Sequence, residues 1–203
     1  SVLNALDGNT TGSIDASAIT TLTGTAAELI EAVTSDGITG LGDEAITVDS
    51  GTATTAQAND LADETSGIVT ATIAEGDLAT LAALNGTGNA YSITIDDASV
   101  DAAALNTLDG KTTVAINAAA ITTLTGAAVD LNTAFDSAGI SNLGDQDVTL
   151  TDSSLAASVL NALDDNTTGS IHASTLNTLC GAPVDRHTTI DSGGISNRGA
   201  EDV

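Results

Sequence analysis

The chain has 203 residues and a formal net charge of −25, from 28 acidic residues against three basic ones. That balance excludes nucleic acid as a partner and disfavours anionic membranes, because phosphate binding needs clustered Lys and Arg. The hydrophobic fraction of 41% is too high for a disordered acidic tail, yet Tyr91 and Phe135 are the only aromatics, which points to a thin Ala/Val/Ile/Leu interior rather than an aromatic-lined pocket.

The chain opens on Val2-Leu3-Asn4-Ala5-Leu6-Asp7, followed by Asn9-Thr10-Thr11-Gly12-Ser13-Ile14. Both return at Val159–Asp164 and Asn166–Ile171, and Leu105-Asn106-Thr107-Leu108-Asp109-Gly110 is a further copy. Ser13-Ile14-Asp15 is the first short, alternating, β-branched segment and predicts a strand. Thr25-Ala26-Ala27-Glu28 has the pattern of a capping box opening a helix over Leu29–Val33. Gly37-Ile38-Thr39-Gly40-Leu41-Gly42 is a second repeated phrase, found again at Gly139–Gly144 and at Gly194–Asn197. Strands are predicted at Ala45–Val48, Val69–Ile73 and Ser92–Ile95. A helix after Asp77 carries Leu78, Leu81, Ala82 and Leu84 and ends before Gly86. Another follows Ser99, with Val100, Ala104, Leu105 and Leu108 on one face and Gly110 as its stop. Strands are predicted again at Val114–Ile116 and Val148–Thr151. Ser153-Ser154 offers caps for a helix whose face is Leu155, Val159, Leu160 and Leu163, and Ser170-Ile171-His172 is the last predicted strand.

A repeat unit cannot bury its apolar face alone, so neighbours must stack. Strand centres fall about 21–24 residues apart, with two longer intervals of about 33 holding the Gly37 and Gly139 phrases, expected to carry an extra helical turn and loop. The expected fold class is α/β: a right-handed β/α solenoid of stacked coils with its strands in one parallel sheet. An all-β solenoid is the alternative. The predicted interior is Ile14, Ile46, Val48, Ile93, Ile95, Val114, Ile116, Val148, Leu150 and Ile171, covered by Leu105, Leu108, Leu160 and Leu163. Residues 1–203 read as a single repeat array and as a fragment of a longer protein. Residues 181–203 read as a degenerate last repeat, expected to be frayed. There Arg186 stands opposite Leu131, Arg198 opposite Leu143, His187 opposite Asn132 and Pro183 opposite Ala128.

No nucleophile, base or phosphate-loop constellation emerges, and the reading is of a protein that is not an enzyme. His172 and His187 replace a plain Asp15 and Asn132 and read as surface residues. Cys180 is the single cysteine, so no intramolecular disulfide forms. No segment approaches the length needed to cross a membrane. Candidates for a metal are the acidic loops with Asp43, Glu44, Asp145 and Asp147 and the pair Asp96-Asp97, because oxygen-rich loops can hold calcium. Turn chemistry explains the same residues, and no cofactor is otherwise expected. Thr47, Thr70, Thr72, Thr94, Thr149 and Thr151 would form outward threonine columns, broken by Asp15, Ala115 and His172. Asn9-Thr10-Thr11, Asn85-Gly86-Thr87 and Asn166-Thr167-Thr168 match a glycosylation sequon but read first as turns.

Thr149-Leu150-Thr151-Asp152 leading into Leu155-Ala156-Ala157, then Leu160-Asn161-Ala162-Leu163-Asp164, resembles the tandem Ala/Thr/Asp-rich repeats of very large bacterial surface proteins. Marine cyanobacteria have such proteins, described as adhesin-like or haemolysin-type. The resemblance covers essentially the whole chain and implies an extracellular or cell-surface location. The glycine-rich calcium nonapeptide of haemolysin-type toxins does not occur here. Two functions follow as expectations: a structural spacer in a secreted or surface protein, or a binding module. The first is expected to contact neighbouring repeats of its own chain and cell-surface or glycan partners. The second would use the threonine face or acidic loops for calcium, glycan or ice.

Overall fold

The computed structural model describes residues 2–196. The chain divides into two compact units, Ser1–Thr94 with Gly110–Ala115, and Ile95–Asp109 with Ile116–Val203. Among the described residues there are eight helices, and every strand pair is parallel. The helices decide for α/β over an all-β arrangement.

The first unit runs α1 (Val2–Gly8), β1 (Ile14–Asp15), β2 (Thr21–Gly24), α2 (Ala26–Val33), β3 (Ile38–Thr39), β4 (Ala45–Val48), α3 (Thr55–Glu64), β5 (Val69–Thr72), α4 (Leu78–Leu81) and β6 (Ala90–Ser92). β2, β4, β5 and β6 form one sheet, and β1 pairs with β3 in a second. The register aligns Leu22, Ile46 and Val69 on the inner face, all buried. α2 starts at a complete capping box between Thr25 and Glu28, and α3 at another between Thr54 and Gln57. Each leaves few N-terminal amides unpaired. Tyr91, fully buried, takes the place of an aliphatic residue. Its hydroxyl donates to Ala58 O at 3.3 Å, and burial pushes its ionisation up to about 12.

The second unit runs β7 (Ser99–Asp101), α5 (Ala102–Asp109), β8 (Ile116–Asn117), β9 (Thr123–Gly126), α6 (Ala128–Asp136), β10 (Ile140–Ser141), β11 (Asp147–Leu150), β12 (Ser154–Ala156), α7 (Ala157–Asn166), β13 (Ile171–His172), β14 (Thr178–Cys180), α8 (Pro183–Asp191) and β15 (Ile195–Ser196). One sheet has the order β15-β13-β11-β9-β7, and β8–β10 and β12–β14 are separate pairs. Val100, Leu124, Val148, Ile171 and Ile195 share one register and make an aliphatic column. α5, α6 and α7 cover it through residues at spacings of three: Ala102, Leu105 and Leu108; Ala128, Leu131 and Ala134; Ala157, Leu160 and Leu163. The alanines let helix and sheet lie close, and the leucines fill the gap between them.

The repeated phrases are explained by side-chain bonds that reach 24 or 28 residues along the chain. Asn4, Asn106 and Asn161 donate Nδ2 to the carbonyls of Glu28, Asp130 and Asp185 at 2.9, 2.9 and 3.0 Å, each 24 residues onward. Asp7, Asp109 and Asp164 accept from Ser35, Ser137 and Ser192, each at 2.7 Å. The same serine hydroxyls accept the amides of Gly37, Gly139 and Gly194. A Cβ at any of these three glycines would collide with the partner aspartate carboxylate. The aspartate of the first phrase and the glycine of the second therefore form one device.

Several expectations are corrected. The strands lie in several sheets rather than one, because the first unit also builds one separate two-stranded pair and the second unit two. The Gly37 and Gly139 phrases contribute strands β3 and β10 rather than an extra helical turn. Val100 and Leu155 belong to β7 and β12, so α5 and α7 begin later than their aliphatic spacing predicts. Asp101, not Ser99, accepts the α5 amide of Ala104 at 3.0 Å. The strand predicted at Ser92–Ile95 lies at Ala90–Ser92, although Ile93 and Ile95 are buried as expected. Val114 is 36% exposed and Ile14 half-buried, and the other eight predicted interior residues and the four covering leucines are buried. Val114 sits in a turn held by the Thr112 hydroxyl, which accepts its amide at 3.1 Å. Of residues 181–203, α8 and β15 are formed, and residues 197–203 lie outside the described residues. Arg198 lies outside the described residues.

Candidate functional site

The second unit carries an open cleft of about 690 Å³ where the loop after β10 meets the turn before β9. Asn142 takes a left-handed backbone, φ 65°, and lets the chain reverse out of β10. Gln146 is buried and organises the loop. Its Oε1 accepts the amides of Gly144 and Asp145 at 2.7 and 3.2 Å. Its Nε2 donates to the carbonyls of Ile121 and Asn142 at 3.2 and 3.1 Å. Both ends of the carboxamide are thus satisfied, as a buried amide requires. The Gln146 carbonyl accepts from Thr167 Oγ1 at 2.8 Å, and that oxygen accepts the Gly169 amide at 3.0 Å. Asn166-Thr167-Thr168-Gly169 is therefore a turn clamp.

Asp145 and Asp147 come together on this cleft, both exposed. Asp147 is partly engaged, its Oδ1 accepting the Ser170 amide at 2.8 Å. Asp43 and Glu44 occupy the corresponding loop of the first unit, Asp43 exposed and Glu44 only 1% exposed. Asp96 is exposed and Asp97 half-buried, both in the segment between β6 and β7 rather than in either loop. Among the described residues, no three His, Cys, Asp or Glu side chains gather as a metal cluster. His187 is exposed and lies 3.2 Å from Asp191. His172 Nδ1 lies 3.0 Å from Ser196 Oγ across neighbouring strands, and Cys180 is exposed.

The threonine columns are short. Thr23, Thr47 and Thr70 share a register that ends on Ala90. In the second unit the row reads Asp101, Thr125, Thr149, His172 and Ser196. Thr94 and Thr151 fall outside the strands.

The residues that organise the loops, Gln146 above all, were not candidates from the sequence. Their signal is positional: Gln146 comes two residues after the last glycine of a repeated phrase, where the first copy has Glu44. The fold is α/β with parallel strands among the described residues. No protein-family model, curated protein or solved structure matches the chain. Among the described residues no helix is long and apolar enough to cross a membrane.

Proposed function

We propose that the chain is a β/α solenoid serving as a structural repeat region, a spacer, of a secreted or cell-surface adhesin-like protein without catalysis of its own. The observation that carries this reading is the use made of the repeated polar residues. Asn, Asp, Ser and Gly of both phrases bond one coil to the next, so repetition serves stacking rather than a recurring ligand site. The charge of −25 favours a soluble extended array and opposes adhesion between like copies. The resemblance to bacterial surface repeats supports the location.

The test is to duplicate residues 110–164, the block between two equivalent aspartates. A solenoid accepts such an insertion, gains stability from the added interfaces, and lengthens by about 4.8 Å per added strand layer in solution scattering. Loss of folding, or a compact particle of unchanged length, would overturn the reading. A binding module is the second reading. Its support is the row Thr23, Thr47 and Thr70, and its test is retention on glycan arrays or ice. The rows are too short and too interrupted to favour it over the spacer.

A further inference from the structure

Glu44 and Gln146 occupy the same place in two copies of one loop, and only one of them is satisfied. Glu44 Oε2 accepts the amides of Gly42 and Asp43 at 2.7 and 3.2 Å, matching Gln146 Oε1 to the tenth of an ångström. The backbones agree as well. Ala45 N donates to Thr20 O at 3.0 Å, as Asp147 N does to Thr122 O. Thr65 clamps the Glu44 carbonyl at 2.7 Å as Thr167 clamps that of Gln146 at 2.8 Å. Gly40 is left-handed, φ 82°, where Asn142 is 65°. The second arm differs in chemistry. Gln146 Nε2 donates to the carbonyls of Ile121 and Asn142, whose counterparts in the first unit are Ile19 and Gly40. By that correspondence Glu44 Oε1 takes the place of Gln146 Nε2, and it is a buried oxygen with no hydrogen-bond partner. A carboxylate oxygen cannot donate to a carbonyl, so acceptors face a position that needs positive charge.

We propose that Glu44 Oε1, with the carbonyl oxygens of Ile19 and Gly40, forms the protein side of a cation site, and that calcium fills it. The donors are all hard oxygens, with no imidazole or thiolate, which argues against transition metals. Calcium takes 6–8 oxygens in flexible geometry and accepts carbonyls, one carboxylate and water together. Magnesium holds its waters in a strict octahedron and suits a buried carboxylate arm less well. Exposed Asp43 adds charge at the rim, and the acidity of the whole chain concentrates cations.

The test compares wild type with Glu44→Gln, which should fold because Gln is the natural residue of the other loop. After chelation, wild type should melt below Glu44→Gln. Calcium at micromolar to millimolar concentration should raise the wild-type melting temperature saturably, beyond magnesium or sodium at matched ionic strength. Glu44→Gln should lose that calcium-specific rise and one calcium site in a calorimetric titration. Gln146→Glu should create a second calcium-dependent site. Equal responses to calcium and magnesium, or a calcium site unaffected by Glu44→Gln, would overturn the proposal. So would a melting temperature that responds to pH but to no cation, since a proton on Oε1 would then supply the missing donor.

Discussion

Helices α6 and α8 are two copies of one sequence position with different interiors. α6 buries Ala128, Leu131 and Ala134, each 0% exposed. α8 buries only Thr189. Arg186 replaces Leu131, and its Nε is buried without a hydrogen-bond partner. Thr189 replaces Ala134 and brings a hydroxyl to the interior, which it satisfies on Asn161 Oδ1 at 2.6 Å and Asp185 O at 3.0 Å. Even so, both segments are helices of 9 residues, and each is followed by the serine of an Asp–Ser–Gly device. Backbone bonding and the Asp–Ser–Gly clamps therefore suffice to form the helix, while the apolar face sets how firmly it is held.

The largest expected effect breaks the better copy. Leu131→Ala should destabilise the second unit by about 2–5 kcal/mol, the range for a packed core leucine. Arg186→Ala at the matching position should cost far less. Chemical denaturation of the two variants measures both, and a Leu131→Ala loss below about 0.5 kcal/mol would erase the contrast between the helices.

The clamp comes next. Asp109→Ala and Asp164→Ala should each cost about 1.5–3 kcal/mol, the range for hydrogen bonds to a charged group. Similar losses at the two sites would show that the clamp acts independently of the helix beneath it. Gly139→Ala should also destabilise, since its Cβ would meet the Asp109 carboxylate. Combining it with Asp109→Ala should cost less than the two losses added. Strict additivity would mean that the aspartate and glycine do not act as one device.

Repair of the poorer copy is a smaller effect of opposite sign. Arg186→Leu with Thr189→Ala should raise stability by about 1–3 kcal/mol, by burying a leucine and removing an unpaired guanidinium nitrogen. No change would show that α8 tolerates the arginine without loss.

The capping box at Thr25, the core leucines of α5 and α7 and the parallel strands were readable because each leaves a local pattern or a spacing. Thr21–Gly24, Thr123–Gly126 and Thr178–Cys180 were not. Each has a single aliphatic residue in three or four positions, too few to show a period, and becomes a strand only when a neighbouring segment supplies its partner. Val100 and Leu155 misled for a related reason. They lie in phase with the helical face yet fall in the strand just before it, and only the register with Leu124 and Leu179 reveals this. The loop site was the least legible. Gln146 matters through carbonyls 25 and 4 residues away, and neither distance leaves a mark in composition.

His187 and Asn132 give the finest comparison between the two helices. Asn132 is half-buried, donates to Val159 O at 3.3 Å and accepts from Asn166 Nδ2 at 2.9 Å. His187 stands at the same helical position with its side chain 77% exposed, beside Asp191 at 66%. A pair that exposed is screened by solvent and contributes about 0–1 kcal/mol. Asn132→Ala removes two bonds, one of them to a neighbouring main chain, and should cost about 1 kcal/mol. His187→Ala should leave the melting temperature almost unchanged. Thermal denaturation of the two variants in parallel separates the cases. A loss at His187 equal to that at Asn132 would mean that the histidine holds its coil as the asparagine does, and that the sequence difference between the helices carries no difference in stacking at this position.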